Sequence, residues 1–150
     1  MTTIIYEHKS CQIAVDSRRI SGNIIMNDQC KKWREINGSY YFFAGIIADI
    51  EHFIELENVK GKPDFPNNIT CIKVTNGIAY LCGIDDDEGY WQEKMDSNDG
   101  AGSGKFFALS ALDFGKTAKE AVEYAATRDT CTGGQTHVFD IISMKFIGTI

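Results

Sequence analysis

The chain opens on short β-prone runs separated by polar turns. Residues 3–6 and 12–15 predict two strands, with polar residues 7–10 as a hairpin tip. Residues 20–26 carry a Gly22-Asn23 turn and predict a second, small hairpin. Residues 33–36 and 40–45 flank Asn37-Gly38, and Asn-Gly between two apolar runs is the strongest short-range hairpin signal. After Gly45 the period changes. Ile47, Ile50, Phe53, Ile54 and Leu56 fall near helical spacing, and residues 61–66, which hold both prolines, are expected to end that helix. Residues 69–74, 78–84 and 89–92 predict a second group of strands, with the acidic run 85–88 in a turn. Residues 105–112 predict a short apolar helix. Residues 117–128 predict a second one, because Thr117 followed by Glu120 makes a capping box ahead of Ala118, Ala121, Val122 and Ala125. Gly133-Gly134 breaks the pattern, and residues 138–142 and 144–147 close the chain as strands. Strands and helices are grouped rather than alternating, which predicts an α+β fold with antiparallel sheets.

Composition narrows the setting. At 150 residues the chain has the length of one domain, residues 1–150, and a 43% hydrophobic content with 24% charged residues argues against disorder. A formal charge of −6 is the wrong sign for a nucleic-acid binder. The apolar run 40–48 is too short to span a bilayer, and no basic segment precedes a long apolar core near the start, so neither a membrane nor a secretory signal is expected. Five cysteines without a Cys-x-x-Cys pair fit reduced thiols in the cytoplasm.

Several chemical signals fail on register. Gly100 to Lys105 is glycine-rich, but Asp99 stands where a phosphate loop needs its first glycine, and Phe106 where it needs Ser or Thr. Asp85-Asp86-Asp87-Glu88 lacks the calcium-loop spacing. His8, His52 and His137 share no ligand spacing, so no metal and no cofactor are expected. One signal has chemical content. Thr2 follows Met1, and removal of Met1 exposes a free α-amine beside the Thr2 hydroxyl. Such an amine titrates near ~7.7–8.0 and can take the hydroxyl proton, which makes Oγ a nucleophile.

Ordered boxes extend that signal. Val15-Asp16-Ser17-Arg18-Arg19-Ile20-Ser21-Gly22 resembles the Asp-Ser-Arg box of proteasome β subunits, and Lys31-Lys32 falls where that family carries its active-site lysine. Phe43-Ala44-Gly45 with Ala48-Asp49 resembles its turn into the first helix, and Gly102-Ser103-Gly104 its Gly-Ser-Gly. Arg128-Asp129-Thr130-Cys131-Thr132-Gly133-Gly134 is similar to its Arg-Asp-x-x-Ser-Gly-Gly signature, with Thr for Ser. The chain thus resembles the proteasome β/HslV group of N-terminal-nucleophile (Ntn) hydrolases, and in its shortness the proteasome-like proteins of bacteria and phages.

The resemblance implies a four-layer αββα sandwich, two antiparallel sheets between helical layers, with shortened helices. It implies a threonine peptidase acting on peptides or unfolded proteins within a homo-oligomeric ring; no motif names an ATPase unfoldase partner. Thr2 would be nucleophile and, through its amine, base; Lys32 would lower its pKa and Asp16 orient the pair. The Gly45 N–H would form the oxyanion hole, and Ser103, Asp129 and Thr132 would support the Thr2 amine. Arg19, Cys30, Arg34, Phe43, Ile47 and Glu51 match the substrate pocket, a mixture that sets no preference. The alternatives are a catalytically silent ring or scaffold protein of the same fold and an Ntn amidase acting on a small molecule.

Overall fold

The computed structural model describes residues 2–64 and 67–148; Met1, Phe65, Pro66, Thr149 and Ile150 lie outside the described residues, so the expected removal of Met1 and the second proline of the helix-ending segment do too. Twelve described strands and three α-helices follow one another in the grouped order expected of an α+β chain. The first sheet has the order β10-β1-β2-β11-β12 and the second β5-β6-β7-β8-β9, and every pairing is antiparallel.

In the first sheet β1 (Ile4–Glu7) and β2 (Gln12–Val15) form the opening hairpin, flanked by β10 (Asp99–Ala101) and β11 (His137–Asp140), with β12 (Lys145–Ile147) at the far edge. The second sheet is a meander of β5 (Trp33–Ile36), β6 (Ser39–Gly45), β7 (Ile69–Thr75), β8 (Ile78–Asp85) and β9 (Gly89–Lys94). Asn37 and Gly38 join β5 to β6 with φ of 52° and 82°, the positive pair that a type I′ turn requires. β3 (Arg19–Ser21) and β4 (Ile24–Asn27) stand apart as a two-stranded hairpin.

Side-chain alternation distributes three clusters. Ile4, Val15 and Phe139 of the first sheet pack against Trp33, Phe42 and Ile72 of the second. The opposite face of the first sheet, with Ile5, Ala14 and Val138, packs against helices α2 (Lys105–Asp113) and α3 (Ala118–Ala126). The opposite face of the second sheet, with Tyr41, Phe43 and Cys71, packs against Ile50 and Phe53 of α1 (Ile50–Leu56). Strands buried on both faces read as continuous apolar runs, which explains residues 40–45. Each large side chain so buried contributes roughly 1.5–3 kcal/mol.

Four expectations need correction. The helix after Gly45 begins as a 3-10 turn, Ile47–Asp49, and only from Ile50 is it the α-helix α1, which ends at Leu56 where the helical spacing ends. Strand β10 carries no strand signal in the sequence, because Asp99-Gly100-Ala101 lacks β-branched residues and is held by pairing with β1. Helix α3 ends at Ala126, with Thr127 as its C-cap, rather than at Arg128. Strand β11 ends at Asp140, whose Oδ2 accepts the Ser143 N–H at 2.9 Å and closes a turn where the apolar run suggested more strand.

Candidate functional site

Three polar side chains meet at the start of β1. Thr2 is 3% exposed, Asp16 1% and Lys32 9%. Lys32 Nζ donates to Thr2 Oγ1 at 2.6 Å and to Asp16 Oδ1 at 2.8 Å, while Thr2 Oγ1 itself donates to Asp16 Oδ1. Each residue is brought there by a different element. Thr2 precedes β1, Asp16 follows β2, and Lys32 precedes β5, where its carbonyl accepts the Phe43 N–H at 3.0 Å.

A carboxylate this buried needs donors on every side. Asp16 Oδ1 also accepts the Thr3 N–H at 3.1 Å, and Oδ2 accepts the N–H groups of Gly133 at 3.0 Å and Arg18 at 3.3 Å. Burial lowers the pKa of Lys32, and the nearby Asp16 only partly offsets it. The Lys32 ammonium, donating to Thr2 Oγ1 at 2.6 Å, draws electron density from that oxygen.

The remaining sequence candidates form a network one layer away. Thr3 Oγ1 and Thr132 Oγ1 are 2.6 Å apart. Thr132 Oγ1 donates to Asp129 Oδ2 at 2.7 Å, as does Ser103 Oγ at 2.6 Å, and Asp129 Oδ1 accepts the Cys131 N–H at 3.1 Å. Burial pushes the Asp129 carboxyl up, but these donors outweigh it and its pKa is lowered. Gly104 allows the approach: a Cβ there would sit 1.9 Å from Thr3 Oγ1.

A pocket of about 450 Å³ opens beside Thr2 and Lys32. Five of the six residues read as its lining do line it: Arg19, Cys30, Arg34, Phe43 and Ile47. Glu51 does not. It is exposed on α1, because the helix turns Ile50 and Phe53 toward the sheet and leaves position 51 to solvent. Gly45 also lines the pocket; its φ is +135°, and a Cβ would fall 1.9 Å from the Asn68 carbonyl oxygen.

Sequence reasoning missed four contributors. Thr3 bridges both polar groups, Gly133 supplies an N–H to Asp16, and Gly104 gives the clearance. Arg18 clamps Asp28 through Nε at 2.8 Å and Nη2 at 3.1 Å, tying β3 to the segment before β5. Arg18, Gly104 and Gly133 lay inside the recognised boxes, whereas Thr3 carried no signal beyond a β-branched position in a strand. Among the described residues no group of three or more His, Cys, Asp or Glu side chains could hold a metal ion, and no helix is long and apolar enough to cross a membrane.

No protein-family model matches the chain, and no curated protein matches it in sequence. Among solved structures, the crystal structure of eukaryotic HslV from Trypanosoma brucei superimposes with a TM-score of 0.67 over 91% of this chain and 97% of its own, at 20% identity. The chain therefore has the HslV fold.

Proposed function

We propose that the chain is a proteasome-like threonine peptidase of the Ntn hydrolase class. The observation that carries the reading is the Lys32–Thr2–Asp16 triangle at the mouth of the pocket. The HslV-like fold supports it, as does the placement of helices outside both sheets, which we read as the four-layer αββα arrangement. Scission of the Met1–Thr2 bond gives Thr2 its α-amine. The amine takes the Oγ proton, Oγ attacks the substrate carbonyl carbon, and the Gly45 N–H receives the developing oxyanion. Collapse breaks the C–N bond, and the proton held by the amine passes to the departing amine. Water then attacks the Thr2 ester while the amine takes one of its protons, and as the ester C–O bond breaks that proton passes to Oγ, releasing the acid and restoring the hydroxyl and the neutral amine.

Lys32 stabilises the Oγ anion by charge. Asp16 holds Lys32, and Asp129, Ser103 and Thr132 steady the chain around Thr2. A cytoplasmic homo-oligomeric ring acting on peptides or unfolded proteins belongs to the same proposal. Intact mass combined with labelling by a peptide epoxyketone tests it, since that reagent bonds to both the Thr2 hydroxyl and its free amine. The expected result is loss of the Met1 mass and one adduct per chain that is absent in Thr2→Ala. Retained Met1 without an adduct overturns it in favour of a catalytically silent scaffold. Turnover of small amides but not of peptides overturns the peptidase assignment in favour of an amidase.

A further inference from the structure

The charge around the pocket does not match the charge of the chain. The protein carries a formal −6, yet Arg18, Arg19, Lys31, Lys32 and Arg34 all line this pocket and no Asp or Glu does. Two of the five cations are already committed. Arg18 is forked onto Asp28, and Lys32 is bonded to Asp16 at 2.8 Å.

The other three are not. Arg19 and Lys31 are exposed, Lys31 lying 5.5 Å from the centre of the Trp33 ring. Arg34 is half-buried, and its Nη1 donates only to the Trp33 carbonyl, at 3.1 Å. Among the described residues none of these three is ion-paired. Beneath them the wall is apolar, with Phe43, Ile47, Ile50 and Ile69. Cations over a low-dielectric wall focus a positive potential into the space between. Without Glu51, the lining holds nothing that would welcome a cationic side chain.

We infer that this pocket selects substrates carrying a carboxylate, an acidic residue on the amino-terminal side of the scissile bond. The inference rests on the proposed peptidase reading, but the pocket's own preference can be measured apart from Thr2 chemistry. The apolar wall takes the methylenes of a glutamate, and Arg19, Lys31 and Arg34 take its carboxylate. Glutamine has nearly the same shape and lacks the charge, so the Glu-to-Gln ratio isolates the electrostatic contribution. A lysine or arginine in that position meets like charge with no offsetting carboxylate.

Two peptidyl alcohols ending in Glu or Gln, which have no carbonyl for Thr2 to attack, would be titrated against the wild-type protein at about 50 mM and about 500 mM salt. The expected result is at least tenfold tighter binding of the Glu ligand at low salt, falling below threefold at high salt as the charges are screened. Arg19→Gln with Arg34→Gln should lower the low-salt ratio to about threefold or less. In parallel, kcat/KM for peptides with Glu, Gln, Leu or Lys before the cleaved bond should rank Glu first and Lys last. Equal binding of the two alcohols, or tighter binding of Gln at low salt, overturns the inference even where peptides are cleaved. A Glu preference without cleavage of any peptide or epoxyketone labelling supports the pocket's selectivity and overturns the peptidase reading alone.

Discussion

Lys32 Nζ stands 2.6 Å from Thr2 Oγ1, although thirty positions separate the two residues. The contact exists because the two sheets are stacked: Thr2 enters the first and Lys32 the second, and Asp16 Oδ1 accepts from both. Lys32→Met keeps the volume and removes the charge. Epoxyketone labelling should slow by at least ~10²-fold, comparable to losing one transition-state donor. Stability should fall by about 3 kcal/mol, the low end for a broken buried pair, because Asp16 keeps its backbone donors. Labelling kinetics and urea unfolding measure the two effects, and an unchanged labelling rate would contradict the role given to Lys32.

Asp129 gives a pH prediction. Its folded pKa is lowered by Ser103, Thr132 and Cys131, so the folded carboxylate holds its charge below the ordinary value near ~3.9. The unfolded chain then binds more protons in that interval. The stability from Asp129 is therefore complete above about pH 5 and drains away as the pH falls through the folded value. Asp129→Asn should cost about 1–3 kcal/mol at neutral pH by leaving donors unpaired. The gap between wild type and variant in urea midpoint should narrow toward pH 3; a gap independent of pH would refute the assignment.

Gly104 has an ordinary φ of −91°, so an alanine there meets no backbone strain. It meets Thr3 Oγ1 at 1.9 Å and Thr132 Oγ1 at 2.9 Å instead. Gly104→Ala should destabilise by roughly 1–3 kcal/mol through overpacking. It should also push Thr3, and with it Thr2, away from Lys32, so labelling should drop by more than the folded fraction does. Thermal unfolding read beside labelling separates the two.

Thr117 tests the fold away from the site. Its Oγ1 accepts the Glu120 N–H at 3.2 Å, and Glu120 Oε1 accepts the Thr117 N–H at 3.0 Å. Thr117→Ala should cost about 1 kcal/mol. Unfolding midpoints should shift while the labelling rate of the folded protein stays at the wild-type value.

The sequence by itself determined the local elements. Asn37-Gly38 could make only a tight hairpin turn, and Thr117 with Glu120 marked the start of α3 as it is found. Both signals are contained in a few neighbouring residues, so no distant contact was needed to read them. The boxes around Asp16, Lys32, Ser103 and Asp129 likewise named residues that the fold gathers, because each box carries its own turn or strand end.

Tertiary structure decided the rest. Strand β10 exists only because β1 pairs with it, and Gly133 reaches Asp16 across 117 positions only because β11 lies beside β2. The character of the pocket was settled the same way. In the sequence Glu51 stood among its candidates beside Arg19 and Arg34; in space α1 turns Glu51 to solvent, and Arg19, Lys31 and Arg34 line the cavity with no ion pair among the described residues. Which charges share a cavity depends on helix rotation and on sheet stacking, and neither is fixed by the spacing of residues along a chain.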